Sequence, residues 1–290
     1  MPVVTKCNLC SEPDEYGAHS ESAVVRSNIR EFRDETFTVW RCGRCRSLHA
    51  RDIPDLAPYY ATYPFHRQKL DWSTRRVYAN LTRRLIRAGL NRSSVILDHG
   101  CGSGLLVGFL RSRGFTNAVG YDSYSSRFND AAVLERRYDC IVSQDVVEHV
   151  DDPRDLLRHY DGWARSGAII AIGTPNAEAI HLDDPERHVH SLHQPYHTHM
   201  FSKRALIAAG EALGWTLERF YPMSYVNTRI PYINIPFGLY YARCFDDTLN
   251  LAFEPIRPHP RLLTPRAVGL AFFGYYVCPD ADVMAVFRKP

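Results

Sequence analysis

Short apolar runs alternate along the chain with segments whose apolar residues recur every third or fourth position. The runs that predict strands cover residues 95–98, 118–122, 138–145, 167–173, 215–221 and 282–288. The segments that predict helices cover residues 73–90, 105–113 and 202–213, and another begins at Pro153. Because strands alternate with helices over most of the chain, we predict an α/β fold with a mostly parallel sheet.

The first predicted helix carries arginine on its polar side. Val77, Leu81 and Leu85 recur every fourth residue, and the arginines stand between and beside them. We expect these arginines to form a solvated face. Contact with an anionic substrate is the alternative.

Three glycines follow the first strand of the predicted α/β region. Gly100, Gly102 and Gly104 come after the acid Asp98 and before an apolar helix. Glycine lets backbone N–H groups at a turn approach a ligand closely. The spacing excludes the dinucleotide pattern G-x-G-x-x-G, because Leu105 stands third after Gly102. A glycine-rich turn without any ligand is the alternative.

Acids stand at the ends of the first two of these strands. Asp122 ends the second strand, and open α/β sheets bind ligands beyond the carboxyl ends of their strands. A carboxylate there can accept hydrogen bonds from both ribose hydroxyls of a nucleoside, although it could instead cap a helix. Asp98 would offset positive charge on the ligand or brace the turn.

Two C-x-x-C pairs lie in the amino-terminal region. Cys7 and Cys10 are separated from Cys42 and Cys45 by 31 residues. Together they predict a tetrahedral Cys₄ shell that suits a structural Zn²⁺ ion, because four thiolates leave no open position. Four reduced cysteines without a metal are the alternative. We therefore predict a zinc-ribbon-like unit over residues 1–58.

Composition narrows the class of protein. The chain has 290 residues, 45% of them hydrophobic, and a formal charge of +3. That charge is small for a nucleic-acid partner, and the loop between the cysteine pairs is acidic, which argues against RNA binding by the ribbon. The acidic residues of that loop are Glu12, Asp14, Glu15, Glu21, Glu31, Asp34 and Glu35.

The apolar runs of the chain are short. Its first ten residues contain no apolar signal-peptide core, and the run at residues 268–277 is too short to span a bilayer. Eight cysteines in such a chain favour metal ligands over disulfides. We expect a cytoplasmic protein.

A second motif follows the strand at residues 138–145. It contains Glu148 and His149 and continues into Asp152 and Pro153. With the glycine turn, Asp122 and the segment 174–176, it resembles class I S-adenosylmethionine (SAM) methyltransferases, in particular the group that includes ubiquinone-pathway O-methyltransferases. The resemblance covers roughly residues 90–222. With the Cys₄ unit in front, the chain is similar to deoxysugar C-methyltransferases, whose amino-terminal region also binds zinc.

The resemblance implies a Rossmann-like domain with a sheet of the seven-stranded type, over residues 70–290, and SAM as methyl donor. The cofactor-binding residues that it implies are Asp98, Gly100, Cys101, Gly102, Gly104, Asp122, Gln144 and Asp145. The catalytic residues that it implies are His149 as base, Glu148 tuning it, and His199 contacting the acceptor. A histidine near neutral pKa suits removal of a proton from the acceptor, whereas a histidine that only caps or packs against the next helix is the alternative.

Two regions depart from a minimal methyltransferase domain. Only 16 residues separate Asp122 from Asp139, where the family fits a helix, a third strand and an adenine-contacting acid, so no residue is assigned to adenine. Six histidines lie between residues 181 and 199. A divalent metal site, acceptor contact by His197 and His199, and a plain polar loop are all open for them.

Residues 223–281 form an aromatic-rich insertion before the last strand. It could roof the acceptor pocket, stack on a sugar or nucleotide, build a homodimer face or add accessory core. A role at a membrane surface would call for more lysine on an amphipathic helix.

The expected function is methyl transfer from SAM to carbon or oxygen of a small metabolite, with a sugar nucleotide or a natural-product or glycan precursor as acceptor. One alternative is an RNA methyltransferase that grips RNA with its ribbon. The other is an inactive zinc-ribbon interaction module, for which the shortened stretch after Asp122 is the support.

Overall fold

Two β-sheets organise the chain. The computed structural model describes residues 3–10, 14–278 and 281–290, so Glu12 and residues 279–280 of the insertion lie outside the described residues. The strands are β1 (Ser22–Arg26), β2 (Thr36–Arg41), β3 (Leu48–Ala50), β4 (Ile96–His99), β5 (Ala118–Tyr121), β6 (Tyr138–Gln144), β7 (Ala164–Pro175), β8 (His199–Met200), β9 (Thr216–Tyr221) and β10 (Asp282–Arg288). The α-helices are α1 (Ala57–Ala61), α2 (Trp72–Arg87), α3 (Leu105–Ser112), α4 (Pro153–Trp163), α5 (Val189–Leu192), α6 (Lys203–Glu211), α7 (Ile235–Arg243) and α8 (Pro265–Phe273).

The larger sheet has the order β5-β4-β6-β7-β10-β9. Its first four strands are parallel, and β10 runs antiparallel to both β7 and β9. The middle of β7, residues 168–173, is buried, as expected for a strand covered on both faces. The predicted α/β fold with a mostly parallel sheet is confirmed.

The sheet is one strand shorter than the seven-stranded type. Between β5 and β6 the described chain forms turns and a 3₁₀ helix at Ala131–Glu135, which Tyr138 anchors by donating its hydroxyl hydrogen to the Val133 carbonyl. A parallel strand needs a crossover of a dozen or more residues in addition to its own length. The 16 residues between Asp122 and Asp139 are too few for both.

The smaller sheet is antiparallel, with the order β1-β2-β3-β8. Strand β8 belongs to the larger part of the chain, and it pairs with β3 at Leu48–Met200 and His49–His199. Ser202 adds a second link, because it caps α6 and donates its hydroxyl hydrogen to the Cys45 carbonyl at 2.6 Å. The cysteine-bearing unit is thereby joined to the larger part through a shared sheet.

The insertion contains α7 and α8, and Asn234 holds them together. Its amide nitrogen donates to the carbonyls of Leu270 and Ala271 at 3.0 and 3.1 Å, while its oxygen accepts from the backbone of Phe237. The structure therefore gives two helices to a segment for which the sequence predicted no elements. No helix within the described ranges combines the length and apolar character that crossing a bilayer requires.

One arginine of α2 departs from the expected solvated face. Arg84 is buried, and its guanidinium donates to the carbonyls of Met223 and Ser224 at 2.8 and 3.2 Å. It also lies over the ring of Tyr221 at 4.6 Å. This side chain fastens α2 to the start of the insertion.

Candidate active site

The glycine turn connects β4 to α3 in a conformation that requires glycine. Gly100, Gly102 and Gly104 have φ values of 75°, 53° and 77°, in the left-handed region. A Cβ on Gly100 would lie 2.3 Å from Cγ2 of Val146, and one on Gly104 would lie 2.3 Å from the ring of Phe128. The backbone angles explain all three glycines, and close approach is a second reason at Gly100 and Gly104.

Asp122 lies at the end of β5 and braces this turn. Its Oδ2 accepts a hydrogen bond from the Gly102 N–H at 2.9 Å, and its Oδ1 accepts one from the Tyr124 N–H at 2.9 Å. A carboxylate oxygen has two lone pairs, so each oxygen keeps the capacity to accept from a ligand. Asp122 therefore begins a turn and caps no helix, and it adjoins the glycine backbone.

Three carboxyl groups with raised pKa values lie around the same sheet edge. Burial and the charge of Asp122 raise the pKa of Asp98 to about 8. Burial raises the pKa of Asp282 to about 6. Asp145 is exposed beyond the end of β6, yet the surrounding protein keeps water from its carboxyl, which together with the charge of Asp282 raises its pKa to about 7. Its backbone is in the left-handed region at φ 55°, a strain that clusters at functional sites.

The side chains of Cys101 and Gln144 turn toward the sheet. The Cys101 sulfur packs on Gly120, where an added Cβ would lie 2.6 Å from it. The Gln144 amide donates to the carbonyl of Ser143 at 3.0 Å and lies across Gly173. Of these two residues, only Cys101 belongs to the glycine turn, to which it contributes its backbone and not its side chain.

Glu148, His149 and His197 come together beyond the end of β6. The His149 and His197 ring centroids are 4.8 Å apart, and Glu148 Oε1 lies 4.0 Å from His197 Nε2. Glu148 Oε2 accepts a hydrogen bond from Thr174 at 3.1 Å, whereas its Oε1 is buried without a hydrogen-bond partner among the described residues. Burial raises the pKa of Glu148 and lowers that of His149 to about 4, so His149 is neutral at pH 7.

These three side chains could also hold a divalent cation. One ligand atom from each lies within 4.8 Å of the others, and a carboxylate with two imidazoles is a donor set that several transition metals accept. Only one of the six histidines between residues 181 and 199, His197, belongs to this group.

A wall of aromatic side chains borders His149. The Tyr60 hydroxyl lies 3.1 Å from His149 Nδ1, and the Tyr60 ring stacks on Tyr124 with centroids 5.0 Å apart. Tyr63 and Tyr196 follow, 4.6 Å apart, and the Tyr63 hydroxyl lies 3.0 Å from Nε2 of His193. These residues were not among the predicted site residues. The only sequence signal was the tyrosine-rich segment at residues 59–64.

His199 lies elsewhere, at the junction with the small sheet. Its Nδ1 is 3.1 Å from Nδ1 of His49, and its Nε2 is 3.2 Å from the carbonyl oxygen of Asp151. The histidine that the structure places beside His149 is thus His197 and not His199.

The four amino-terminal cysteines form a closed cluster. The Cys7 sulfur lies 3.7 Å from the sulfurs of both Cys10 and Cys45, and all four sulfurs, including that of Cys42, lie within 4.8 Å of one another. Tetrahedral Zn–S bonds of about 2.3 Å place sulfurs about 3.8 Å apart. The cluster is therefore compatible with a zinc ribbon.

Comparison with known families decides the class of this fold. The family described as "Methyltransferase domain" matches residues 72–219, about half of the chain. The chain belongs to this methyltransferase family. The matched segment runs from α2 to β9 and includes the glycine turn, Asp122 and the Glu148-His149 motif, so this methyltransferase carries the domain that uses SAM as donor. No curated protein matches the chain in sequence.

Solved structures are similar to this methyltransferase at low sequence identity. A chain of the complex between the Haloferax volcanii Trm112 methyltransferase activator and a methyltransferase is 14% identical, with a TM-score of 0.50 over 82% of this chain and 100% of that one. A SAM-dependent methyltransferase from Archaeoglobus fulgidus is 16% identical, with a TM-score of 0.46 over 80% and 99%. The plantazolicin methyltransferase BpumL, solved with SAH, is 13% identical, with a TM-score of 0.47 over 80% and 89%.

Proposed function

We propose that this methyltransferase transfers the methyl group of SAM to a carbon or oxygen atom of a small hydroxylated metabolite. A sugar nucleotide or a natural-product or glycan precursor is the proposed acceptor class. The observation that carries the proposal is the hydrogen-bonding contact of 3.1 Å between Tyr60 and His149, at the sheet edge where the glycine turn also lies.

The donor side of the cleft fits a cationic nucleoside. When bound, SAM supplies a methyl group activated by a positively charged sulfonium. Asp98 is a buried carboxyl beside the glycine turn whose pKa is raised by burial and by another acid, which is the environment that a cation would relieve. We assign Asp98 and the turn to the methionine end, Asp122 to the ribose hydroxyls, and Asp145 to the lining of the cleft.

The affinity for SAM is expected to rise with pH. The Asp98 carboxyl holds its proton below about pH 8 in the free protein, and a bound cation favours the ionised form, so binding must release that proton. Between pH 6.5 and 8.5 the association constant should therefore increase roughly 25-fold and then level off. Calorimetric titration of the wild type and of Asp98→Asn measures this. The variant has no carboxyl at position 98. If its affinity for SAM depends on pH as that of the wild type does, the role of Asp98 is refuted.

The acceptor side offers hydroxyl groups, imidazoles and aromatic rings. Tyr60, Tyr63 and Tyr196 present ring surfaces that contact one another, and the first two have hydroxyls next to histidine nitrogens. A hydroxylated ring can stack on such a surface and form directional hydrogen bonds with it. We propose that His149 takes the proton of the acceptor, with Glu148 setting the charge around it.

We also propose a structural zinc ion in the cysteine cluster. The sulfur separations of 3.7 Å agree with a tetrahedral thiolate site, and the four-sulfur shell is closed. Residues 1–58 would then be a ribbon that supports the tyrosine-bearing α1 segment, with the methyltransferase domain following.

Transfer of a labelled methyl group tests the proposed function. The purified protein is incubated with methyl-tritiated SAM and separate fractions of small metabolites, RNA and protein, and the labelled product is identified. We expect label in the hydroxylated small-molecule fraction. Label in nuclease-sensitive RNA or in protein would overturn the acceptor class, and a failure to bind SAM in calorimetry would identify the chain as an inactive module.

A further inference from the structure

The α8 helix buries its alanines and exposes its phenylalanines. Ala267 and Ala271 face the protein with nearly no exposed surface, whereas the side chains of Phe272 and Phe273 on the other side are 47% and 67% exposed. A helix on a water-soluble surface normally has the opposite arrangement, with large apolar residues buried. The small residues bring the α8 backbone close to α7, and the large ones are left to solvent.

We call the exposed apolar side chains of α8 and of the 3₁₀ turn that follows it the aromatic face. Its members are Val268, Phe272, Phe273, Tyr276 and Val277. Val268 and Phe272 are one helical turn apart. Tyr232 extends this face, with its ring centroid 5.8 Å from that of Phe272. Large contiguous apolar surfaces of this kind mark interaction sites.

Arginines lie beside the aromatic face in the described part of the chain. Residues 255–278 contain three arginines and neither aspartate nor glutamate, and Asp280, three residues after Val277, lies outside the described residues. Of the three arginines, Arg257 pairs with Glu254 at 3.4 Å. Arg229 lies over the rings of Tyr275 and Tyr276 at 5.0 and 5.8 Å, and Arg266 lies over the ring of Tyr240 at 5.7 Å. Stacked in this way, both guanidiniums lie beside aromatic surface with their charge accessible to a partner.

The three acids of residues 223–278 are engaged on another side of the insertion. Asp246 and Glu254 pair with Arg30 of the amino-terminal unit, and Asp247 pairs with Arg26 at 3.3 Å. Their charges are therefore neutralised where the insertion meets the ribbon-like unit. Among the described residues, Arg229 and Arg266 leave positive charge beside the aromatic face.

We infer that the aromatic face is a docking surface for an anionic lipid bilayer. Exposed Phe and Val side chains can enter the boundary between headgroups and acyl chains, and arginines at the border can reach lipid phosphates while their stems stay apolar. These arginines supply the positive charge that lysines would otherwise provide at a membrane surface. A second copy of the chain fits less well, because a symmetric contact would bring the Arg229 and Arg266 borders of both copies together.

Vesicle flotation of the full chain tests this inference. Vesicles of phosphatidylcholine with about 30 mol% phosphatidylglycerol should carry the protein, and pure phosphatidylcholine vesicles should carry at least tenfold less. High salt should weaken the binding, because the arginine contribution is screened. The double substitution F272S and F273S should abolish flotation, and the double substitution R229Q and R266Q should reduce it about thirtyfold on anionic vesicles.

The matched control is Val24→Ser, which removes an exposed apolar side chain from β1, 64% exposed, far along the chain from α8. It should float like the wild type, and unchanged circular dichroism and SAM binding would show that the α8 variants remain folded. Absence of flotation, or flotation that neither pair of substitutions reduces, would overturn the inference. Concentration-dependent self-association that F272S and F273S remove, without vesicle binding, would make the face an interface between copies instead.

Discussion

Replacing Cys45 with serine is expected to lower the melting temperature of the whole chain by more than about 10 °C and to abolish zinc binding. Structural zinc sites contribute about 10–16 kcal/mol of apparent binding free energy, comparable with the entire stability of a domain. Cys45 is buried in a hydrophobic cluster with Trp40 and Phe201, so disorder at the metal would spread into the larger core. Elemental analysis of the purified wild type should find one zinc ion per chain.

Cys278→Ser is the matched control, because it makes the same chemical change at a half-buried cysteine outside the cluster. It should keep both the zinc and the melting temperature of the wild type. A metal-free wild type whose stability Cys45→Ser hardly alters would mean that the four thiols are reduced and bind nothing. That result would leave the cluster as ordinary packing.

The local geometry of the proposed donor half of the site could be predicted because its signals are local. The turn after β4 requires positive φ angles and close backbone approach at Gly100 and Gly104. Glycines spaced closely along the sequence indicate both requirements. Asp122 follows from the same logic, since the carboxyl ends of neighbouring parallel strands meet at one edge. The sequence also implied the missing strand, because only 16 residues separate Asp122 from Asp139.

The tyrosines of the proposed acceptor half could not be predicted, because they reach His149 through long-range contacts. Tyr60 reaches His149 across 89 residues of sequence, through the docking of α1 beside the loop that precedes β8. Simple alternation along a strand would place His197 and His199 on one side. A turn breaks this alternation, because the His197 N–H donates to the His193 carbonyl at 3.2 Å and β8 begins only at His199.

Replacing His149 with asparagine is expected to reduce kcat by about 10²–10⁴-fold while the affinity for SAM stays within about twofold. The imidazole is neutral at pH 7, since burial lowers its pKa to about 4, and so it has a lone pair with which to take a proton. This pKa lies below the near-neutral value that the sequence led us to expect of a general base. Asparagine keeps part of the hydrogen bonding and volume but cannot be protonated. His159→Asn on the exposed side of α4 is the matched control and should leave kcat unchanged.

Tyr60→Phe separates positioning of the imidazole from plain packing. Its ring contacts with Tyr124 and Tyr196 would persist, but the hydroxyl 3.1 Å from His149 Nδ1 would be gone. If Tyr60 fixes the imidazole, kcat should fall about tenfold with little change in KM for SAM; if it only packs, neither should move.

Full turnover in His149→Asn would remove the base assignment. His197→Asn tests a different role for the group. If this variant also loses activity and an added divalent cation restores it, Glu148, His149 and His197 act together through a metal ion.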